Sequence, residues 1–296
     1  MVDDLAPQRF LHSFRARLPH WLGFNSPVVP VVRLTGVIGF STPLKPGLTL
    51  SSIARSLDRA FSMKKARAVA LAINSPGGSA AQSHLIYTRI RSLADEKKIP
   101  VIAFVEDVGA SGGYMIACAA DEIVCDPSSI VGSIGVVGGA FGFHKLIEKL
   151  GIERRLYTSG ERKAMLDPFL PEKPEDVERL KAIQREIHDS FIALVKERRG
   201  DKLDSRESAL FSGEYWTGSR ARELGLVDGI GELRGILRER YGDKVKIPLI
   251  EARGLFGRRP PGLGAGGLDA LWDRSSLVED AVSTLEARAL WSRYGL

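Results

Sequence analysis

Cysteine is scarce in this chain, whose 296 residues include only Cys118 and Cys125. Two cysteines cannot build the disulfide framework that stabilises small secreted domains. The sequence therefore favours a reducing compartment, and we interpret both thiols as small buried groups of the core. A chain of this length can bury a large core without crosslinks, in one large domain or two smaller ones.

Long apolar runs are also absent. No stretch approaches the roughly 18 consecutive apolar residues that a membrane-spanning helix needs. Asp3 and Asp4 precede any basic residue, and no apolar segment of a signal peptide follows them. The segment at 9–22 is basic and amphipathic, so it packs on its own protein or lies on an anionic membrane surface. We expect a cytoplasmic protein, with peripheral contact at the inner face of the membrane as the open alternative.

Signals for nucleic acids, metals and cofactors are missing as well. A net charge of +6, with 26% charged and 44% hydrophobic residues, is that of an ordinary globular protein with a mild basic bias. The chain has no zinc-finger spacing, no RNA-binding aromatic motif and no dense block of lysine and arginine. No metal or nucleotide motif occurs, so we expect neither a cofactor nor a nucleic-acid partner.

Strand-like and helix-like segments alternate along the first half of the chain. Apolar runs at 69–74 and 101–105 are typical of buried parallel strands, and a β-branched segment at 28–37 precedes them. A helical stretch to about residue 94 separates the two runs, which predicts an α/β fold with βαβ units, a parallel sheet and flanking helices. Further strands are predicted at 123–124, 130–137 and 154–158, and further helices at 174–199, 218–224 and 232–240.

Composition divides the chain into four parts. These are an N-terminal amphipathic arm at 1–27, an α/β domain at 28–252, a linker at 253–267 and a C-terminal amphipathic helix at 268–296. The linker is assigned because residues 254–267 contain six glycines and two prolines. The apolar face of the last helix is marked by Leu271, Val278, Val282, Leu285 and Ala289. That face has three open roles: docking on a neighbouring subunit or partner, folding back on the core, or binding lipid.

The most informative motif is Gly-x-Ser-x-Gly at 109–113. In a strand–turn–helix setting this spacing places a serine, here Ser111, on a sharp turn at a helix N-terminus, where hydrolases expose a nucleophile. A second glycine-rich turn, at 76–78, follows the preceding strand, so both turns can face one crevice. One backbone N–H from each turn, with Gly78 and Gly112 the best candidates, would form an oxyanion hole. The alternative is that both are simply tight turns.

Ser111 needs a base, and none of the five histidines lies in a recognisable triad context. A lysine can serve if it is neutral. Lowering the pKa of a lysine from about 10.4 to about 7 takes roughly 4.6 kcal/mol, which burial and the exclusion of anions can supply. Taken alone, the residues do not distinguish such a lysine from a solvated surface cation.

Five motifs in a fixed order connect the chain to a known family. Residues 31–241 resemble the signal peptide peptidase A (SppA) family of Ser/Lys peptidases, in its short single-repeat form without a membrane anchor. The motifs are Asn-Ser-Pro-Gly-Gly at 74–78, Ala-Ser-Gly-Gly-Tyr at 110–114, Val-Gly-Ser-Ile-Gly-Val at 131–136, Ser-Gly-Glu-Arg-Lys at 159–163 with Asp-Pro-Phe at 167–169, and Trp-Thr-Gly at 216–218 with Gly-Leu-Val-Asp at 225–228.

The resemblance implies a ClpP/crotonase-type fold and serine peptidase activity. It makes Ser111 the nucleophile and Lys163 the general base, places the N–H groups of Gly78 and Gly112 in the oxyanion hole, and makes Ser133 the hydroxyl that orients the lysine. It further implies a ring-like homo-oligomer, with the dyad completed between neighbouring subunits or repeats. The expected substrates are unfolded or membrane-derived peptides with small or apolar side chains near the cut.

Three other functions remain open. A crotonase-like acyl-CoA enzyme would use the same two N–H groups on a thioester, and a non-catalytic scaffold would keep only the fold. An α/β-hydrolase would pair Ser111 with Asp167 and His188, in a permitted chain order. By contrast, Ser-x-x-Lys at 62–65 lacks the companion motifs of penicillin-binding enzymes, and we interpret it as the end of a surface helix.

Overall fold

The computed structural model describes residues 26–39, 47–160, 162–204, 207–250, 285 and 288–295. The predicted linker at 253–267 and the predicted N-terminal arm up to residue 25 lie outside these residues. Most of the predicted C-terminal helix does so too, but residues 285 and 288–292 are helical. In the described part of the chain, no helix combines the length and the apolar character required to cross a membrane.

A mainly parallel sheet forms the centre of the molecule. Its main path runs β1-β2-β3-β4-β7, and β5 pairs with both β3 and β6. Among the strand pairs of the described residues, only β5–β6 is antiparallel. The strands are β1 Val31–Thr35, β2 Val69–Ser75, β3 Val101–Ala110, β4 Glu122–Cys125, β5 Ile130–Gly132, β6 Tyr215–Thr217 and β7 Gly229–Ile230.

Helices alternate with these strands, as the sequence pattern predicts. The helices are α1 Leu50–Phe61, α2 Ala80–Lys97, α3 Gly112–Ala117, α4 His144–Lys149, α5 Pro174–Arg199, α6 Gly218–Glu223 and α7 Leu233–Tyr241. Two short 3₁₀ turns lie at Gly200–Lys202 and Ser208–Phe211. Helix α5 begins with a proline in its first turn and ends at Gly200, the two boundary signals visible in the sequence.

Both faces of the sheet are buried. On β2, Leu71 and Ile73 face the large core formed with α1, α2 and α3, whereas Ala70 and Ala72 face a smaller core that contains Leu237 of α7. This two-sided burial explains why β2 and β3 are continuous apolar runs rather than alternating ones. The layering confirms the predicted α/β, ClpP/crotonase-like architecture.

Three strand predictions need correction. The predicted strand at 154–158 is wrong: the stretch has no regular structure and is exposed, because no neighbouring strand pairs with it. The predicted strand at 130–137 stops at Gly132, because Ser133 takes φ 54°, which a β-strand cannot accommodate. The predicted strand at 28–37 is likewise shortened to Val31–Thr35.

A surface extension follows β5 and lies outside the sheet. We use the name extension for residues 136–160 and 162–170. It contains α4, and its internal contacts include a hydrogen bond from Phe143 N to Pro168 O at 2.6 Å and a salt bridge between Arg154 and Asp167 at 2.8 Å. Its exposed large apolar side chains include Val137, Phe141, Leu146, Leu150, Ile152 and Tyr157.

Candidate active site

Ser111 occupies the turn between β3 and α3. It is the N-cap residue of α3 and has φ 53° and ψ −123°, a conformation that a non-glycine residue adopts only under constraint. Its N–H donates to Gly132 O at 2.8 Å, and its carbonyl accepts from Met115 N at 3.0 Å. These contacts fix the backbone while the side chain stays half-buried. The geometry is that of a nucleophile turn.

Gly77 lies directly behind this serine. A Cβ atom at Gly77 would lie 2.7 Å from Ser111 Cβ and 2.9 Å from Gly112 N, and Gly77 has φ +98°. Its N–H donates to Ser75 Oγ at 3.2 Å, and that hydroxyl donates to Gly36 O at 2.7 Å. The structure therefore brings the two glycine-rich turns into contact, and only glycine fits where they touch.

The N–H groups of Gly78 and Gly112 lie on these two turns. Ile38 forms an isolated β-bridge with Gly78. The bridge consists of hydrogen bonds from Ile38 N to Gly77 O and from Ser79 N to Ile38 O, each 2.8 Å long, and so does not use the N–H of Gly78. Gly112 is the first residue of α3, where an N–H has no acceptor inside the helix. Among the described residues, neither N–H donates to a backbone carbonyl.

Ser133 follows the residue that holds Ser111. Gly132 O accepts from Ser111 N, and Ser133 N donates to Glu214 O at 2.6 Å. Ser133 also has a positive φ, 54°, and is half-buried. The two predicted serines are thus linked through one residue of β5.

Lys163 lies elsewhere. It is exposed on the extension, in a turn where its N–H donates to Gly160 O at 3.2 Å. Within the described ranges, no hydrogen bond joins Lys163 to Ser111 or Ser133. The Ser111–Lys163 dyad therefore stays a prediction from the sequence.

Two residues at the site were missed by the sequence reasoning, Tyr215 and Tyr294. Tyr215 Oη donates to the backbone carbonyl of Arg293 at 3.1 Å, and burial raises the pKa of the Tyr294 phenol. The rings of Tyr215 and Tyr294 meet edge to face, with centroids 5.1 Å apart. Tyr215 immediately precedes the Trp-Thr-Gly motif, and this position was a weak indication that it lies near the site. No local pattern could have indicated a partner 79 residues further along the chain.

The triad alternative receives no support from the geometry. Asp167 accepts from Arg154 Nη2 at 2.8 Å and from Phe169 N at 2.9 Å, and the hydrogen bond from Arg154 lowers the pKa of this carboxyl. The His188 ring hydrogen-bonds Ile134 O through Nε2 at 3.1 Å. In the described part of the chain, neither residue hydrogen-bonds the other or Ser111.

Metal-binding side chains are not clustered in the described ranges. No three histidine, cysteine or carboxylate groups there lie close enough together to hold a metal ion. Both cysteines are buried, and desolvation raises the pKa of each thiol to about 12. A thiol with so high a pKa is a poor nucleophile, so neither cysteine competes with Ser111 for the predicted role.

Comparisons with known proteins agree with the motifs. A model of peptidase family S49 matches residues 94–244. A putative protease of Synechocystis is 32% identical over 222 residues, which cover 73% of this chain and 79% of that protein. The chloroplastic serine protease SPPA of Arabidopsis thaliana is 37% identical over 188 residues, 63% of this chain and 27% of that protein.

A more similar relative carries a different name. The protein of Brucella abortus (strain 2308) named Na(+)/H(+) antiporter NhaA is 56% identical over 272 residues. The match covers 90% of this chain but 37% of that protein. The chain thus spans little more than a third of the length of this relative.

Proposed function

The chain belongs to peptidase family S49, and from that premise we propose that it is a serine endopeptidase in which Ser111 and Lys163 form the catalytic dyad. The observation that carries the proposal is the β3–α3 turn. Ser111 is held there at φ 53°, beside N–H groups of Gly78 and Gly112 that donate to no backbone carbonyl among the described residues. Such an arrangement suits acyl transfer through a tetrahedral intermediate.

The proposed reaction has two steps. Ser111 Oγ attacks the peptide carbonyl carbon, and its proton passes to the neutral amine of Lys163. The N–H groups of Gly78 and Gly112 stabilise the oxyanion, and the lysine then protonates the departing amine. Lys163 then takes a proton from water, which attacks the acyl-serine ester; the bond to Ser111 Oγ breaks, that oxygen receives the proton from the lysine, and the acid is released. Ser133 orients the lysine through its hydroxyl.

Lys163 must reach Ser111 from another copy of the chain in this proposal. The lysine is exposed here, on an extension that presents several large apolar side chains to solvent. Contiguous exposed apolar surface favours association with another protein surface. We therefore propose a ring-like homo-oligomer in which the extension of one subunit brings Lys163 to Ser111 of its neighbour.

The proposed substrates are unfolded or membrane-derived peptides with small or apolar side chains near the cut. The family and the protease names of the two relatives support peptide hydrolysis in general. The choice of substrate rests on the resemblance to signal peptide peptidases alone.

Cleavage of a pool of short apolar peptides by the purified chain tests the dyad. We expect Ser111→Ala and Lys163→Ala to lower kcat/KM by at least about 10³-fold, while Arg162→Ala, the adjacent exposed cation, stays near wild type. Full activity of the lysine variant would reject Lys163 as the base. Tight binding of an acyl-CoA by an inactive wild-type protein would instead favour the crotonase-like function.

Mixing the two inactive variants tests the location of the dyad. If the dyad forms between subunits, a Lys163→Ala subunit retains Ser111 and receives Lys163 from a Ser111→Ala neighbour. We therefore expect activity to return when the two proteins are unfolded together and refolded. Unchanged inactivity of a properly assembled mixture would place both residues of the dyad in one subunit.

A further inference from the structure

Ser75 lies at the end of β2, just before the first glycine-rich turn, and the proposed reaction assigns it no role. The residue is completely buried. Its hydroxyl accepts a hydrogen bond from Gly77 N at 3.2 Å and donates one to Gly36 O at 2.7 Å. A serine hydroxyl has a single proton, so its capacity to donate is fully used. One buried hydroxyl therefore connects the loop after β1 to the turn that carries Gly78.

The peptide unit between Gly77 and Gly78 is held by its carbonyl group. A trans peptide unit is planar, and its C=O and N–H groups point in opposite directions. Gly77 O accepts from Ile38 N at 2.8 Å, so this bond sets the direction of the Gly78 N–H. Ile38 lies two residues after Gly36, whose carbonyl accepts from Ser75. The Ser75 hydroxyl thus holds both the turn and the segment to which the turn is bonded.

Ser75 also packs against the second glycine-rich turn. A Cβ atom at Gly113, the second residue of α3, would lie 2.5 Å from Ser75 O and 3.2 Å from Ser75 Cβ. Gly113 directly follows Gly112, the other predicted donor to the oxyanion. Ser75 therefore contacts one turn through its hydroxyl and the other through its backbone, so its position sets the spacing between the two turns.

We propose that Ser75 is a positioning residue of the oxyanion hole, whose hydroxyl holds the Gly77–Gly78 peptide unit so that the Gly78 N–H points at the oxyanion. This inference rests on the proposed function, in which that N–H stabilises the tetrahedral intermediate. A donor aligned in advance needs no reorganisation when the charge develops. Gly77 is buried and Gly78 is exposed, so the hydroxyl acts from inside the protein on a group that faces outward.

Steady-state cleavage of one short apolar peptide by the full-length chain tests the positioning role. Ser75→Ala removes the hydroxyl and adds no atom, so Gly77 N loses its acceptor and the turn relaxes. We expect kcat to fall about 30-fold, because a displaced donor stabilises the oxyanion less. KM should stay unchanged, since the oxyanion is absent from the bound substrate.

Ser129→Ala is the matched control, because Ser129 is also buried and its hydroxyl has partners of the same kind. It accepts from Asp126 N and donates to Glu106 O, and neither partner lies on a glycine-rich turn. We expect both variants to lower the melting temperature by about 5 °C, since each leaves backbone groups without a partner. Ser129→Ala should keep the wild-type kcat. A merely structural role of Ser75 would give the two variants equal kcat values.

Ser75→Cys keeps the test valid if Ser75→Ala does not fold, because a thiol is a weaker hydrogen-bonding group in the same place. We expect its kcat to fall about tenfold, again at unchanged KM. A wild-type kcat for either folded Ser75 variant, with or without a rise in KM, overturns the positioning role and leaves the proposed function standing. A wild-type chain that cleaves no peptide overturns the proposed function, and the positioning role with it.

Discussion

Ser111 and Lys163 lie in regions of opposite character. Ser111 is fixed by backbone hydrogen bonds at the end of a buried strand, and glycines pack so closely around it that no side chain fits. Lys163 lies on the extension, which exposes large apolar side chains and contains one short helix. The fold of one chain therefore fixes the turn that carries Ser111 and the glycines packed against it, whereas Lys163 lies on a surface that the fold leaves uncovered.

The comparison predicts that substitutions in the sheet region change stability and that substitutions in the extension change assembly. Four substitutions are expected to change the free energy of unfolding by successively smaller amounts.

The largest effect is expected for Asp228→Ala. The carboxylate of Asp228 accepts from the buried Arg199 guanidinium at 2.8 Å, from Lys202 at 2.7 Å and from Ile123 N at 2.8 Å. Removing it leaves the Arg199 charge buried without its counter-ion, which destabilises by about 3 kcal/mol. Chemical denaturation measures the loss, and Asp189→Ala on the exposed face of α5 is the control.

The Asp228 carboxylate also makes the free energy of unfolding depend on pH. Burial alone would raise the pKa of Asp228, but the hydrogen bonds from Arg199, Lys202 and Ile123 outweigh it and lower the pKa. An aspartate whose pKa is lower in the folded than in the unfolded state stabilises the fold at pH values above its unfolded-state pKa. That stabilisation is lost as the pH falls through the folded-state pKa. We expect the Asp228→Ala and wild-type unfolding free energies to converge below about pH 4. A constant difference down to pH 2 would contradict this assignment.

Gly77→Ala is expected to cost about 2 kcal/mol of stability and nearly all activity. The new methyl group would lie 2.7 Å from Ser111 Cβ, at a backbone φ of +98° that disfavours alanine. Ser111 must then move, and kcat/KM should fall at least about 100-fold. Gly142→Ala, where no atom lies within 4 Å of the added carbon, is the matched control. An active Gly77→Ala protein would show that the turn tolerates displacement.

His188→Ala should cost about 1 kcal/mol, the value of one hydrogen bond, because the ring contacts Ile134 O next to Ser133. We expect kcat/KM to stay within about fivefold of wild type, because the histidine positions a loop and does not act as the base. Loss of all activity with the fold intact would revive a triad containing His188.

Phe141→Ser is expected to change the free energy of unfolding by less than about 0.5 kcal/mol, because the ring is 80% exposed. The proposed assembly should nevertheless weaken, since an apolar group is removed from the extension. Light scattering measures the oligomer, with Glu172→Gln, an exposed polar change just after the extension, as control. An unchanged oligomer with full activity would place the interface elsewhere.

The sequence predicts the sheet region well for a physical reason. The run at 69–73 is apolar throughout because both faces of the sheet are covered, and the glycines at 77 and 112 are required by atoms only two or three ångströms away. These are local patterns with local causes. The predicted strand at 154–158 does not form, because a strand also needs a neighbouring strand with free backbone groups. The sequence of the segment alone does not show whether such a neighbour exists.

The contact of Tyr215 with Arg293 and Tyr294 could not be predicted from the sequence. Tyr215 and Tyr294 are ordinary aromatic residues in their local context, and they meet only because the chain returns to the paired strands β5 and β6. Local sequence patterns do not predict the surroundings of Lys163 either, because these depend on which surface covers the extension.

The irregular pairing of β2 with β3 has a consequence for chain length. Between the pairs Ile73–Val105 and Ser75–Gly109, β3 contains two more residues than β2, and the side chain of Asn74 bonds Asp107 and Val108 N in the gap. Side chains alternate with a period of two, so an even insertion preserves their phase and an odd one reverses it. Deleting a single residue there would turn Ser111 to the opposite face of the sheet, whereas deleting two would keep its direction and draw it back by about 7 Å. The parity of this one segment thus decides which side of the molecule carries Ser111.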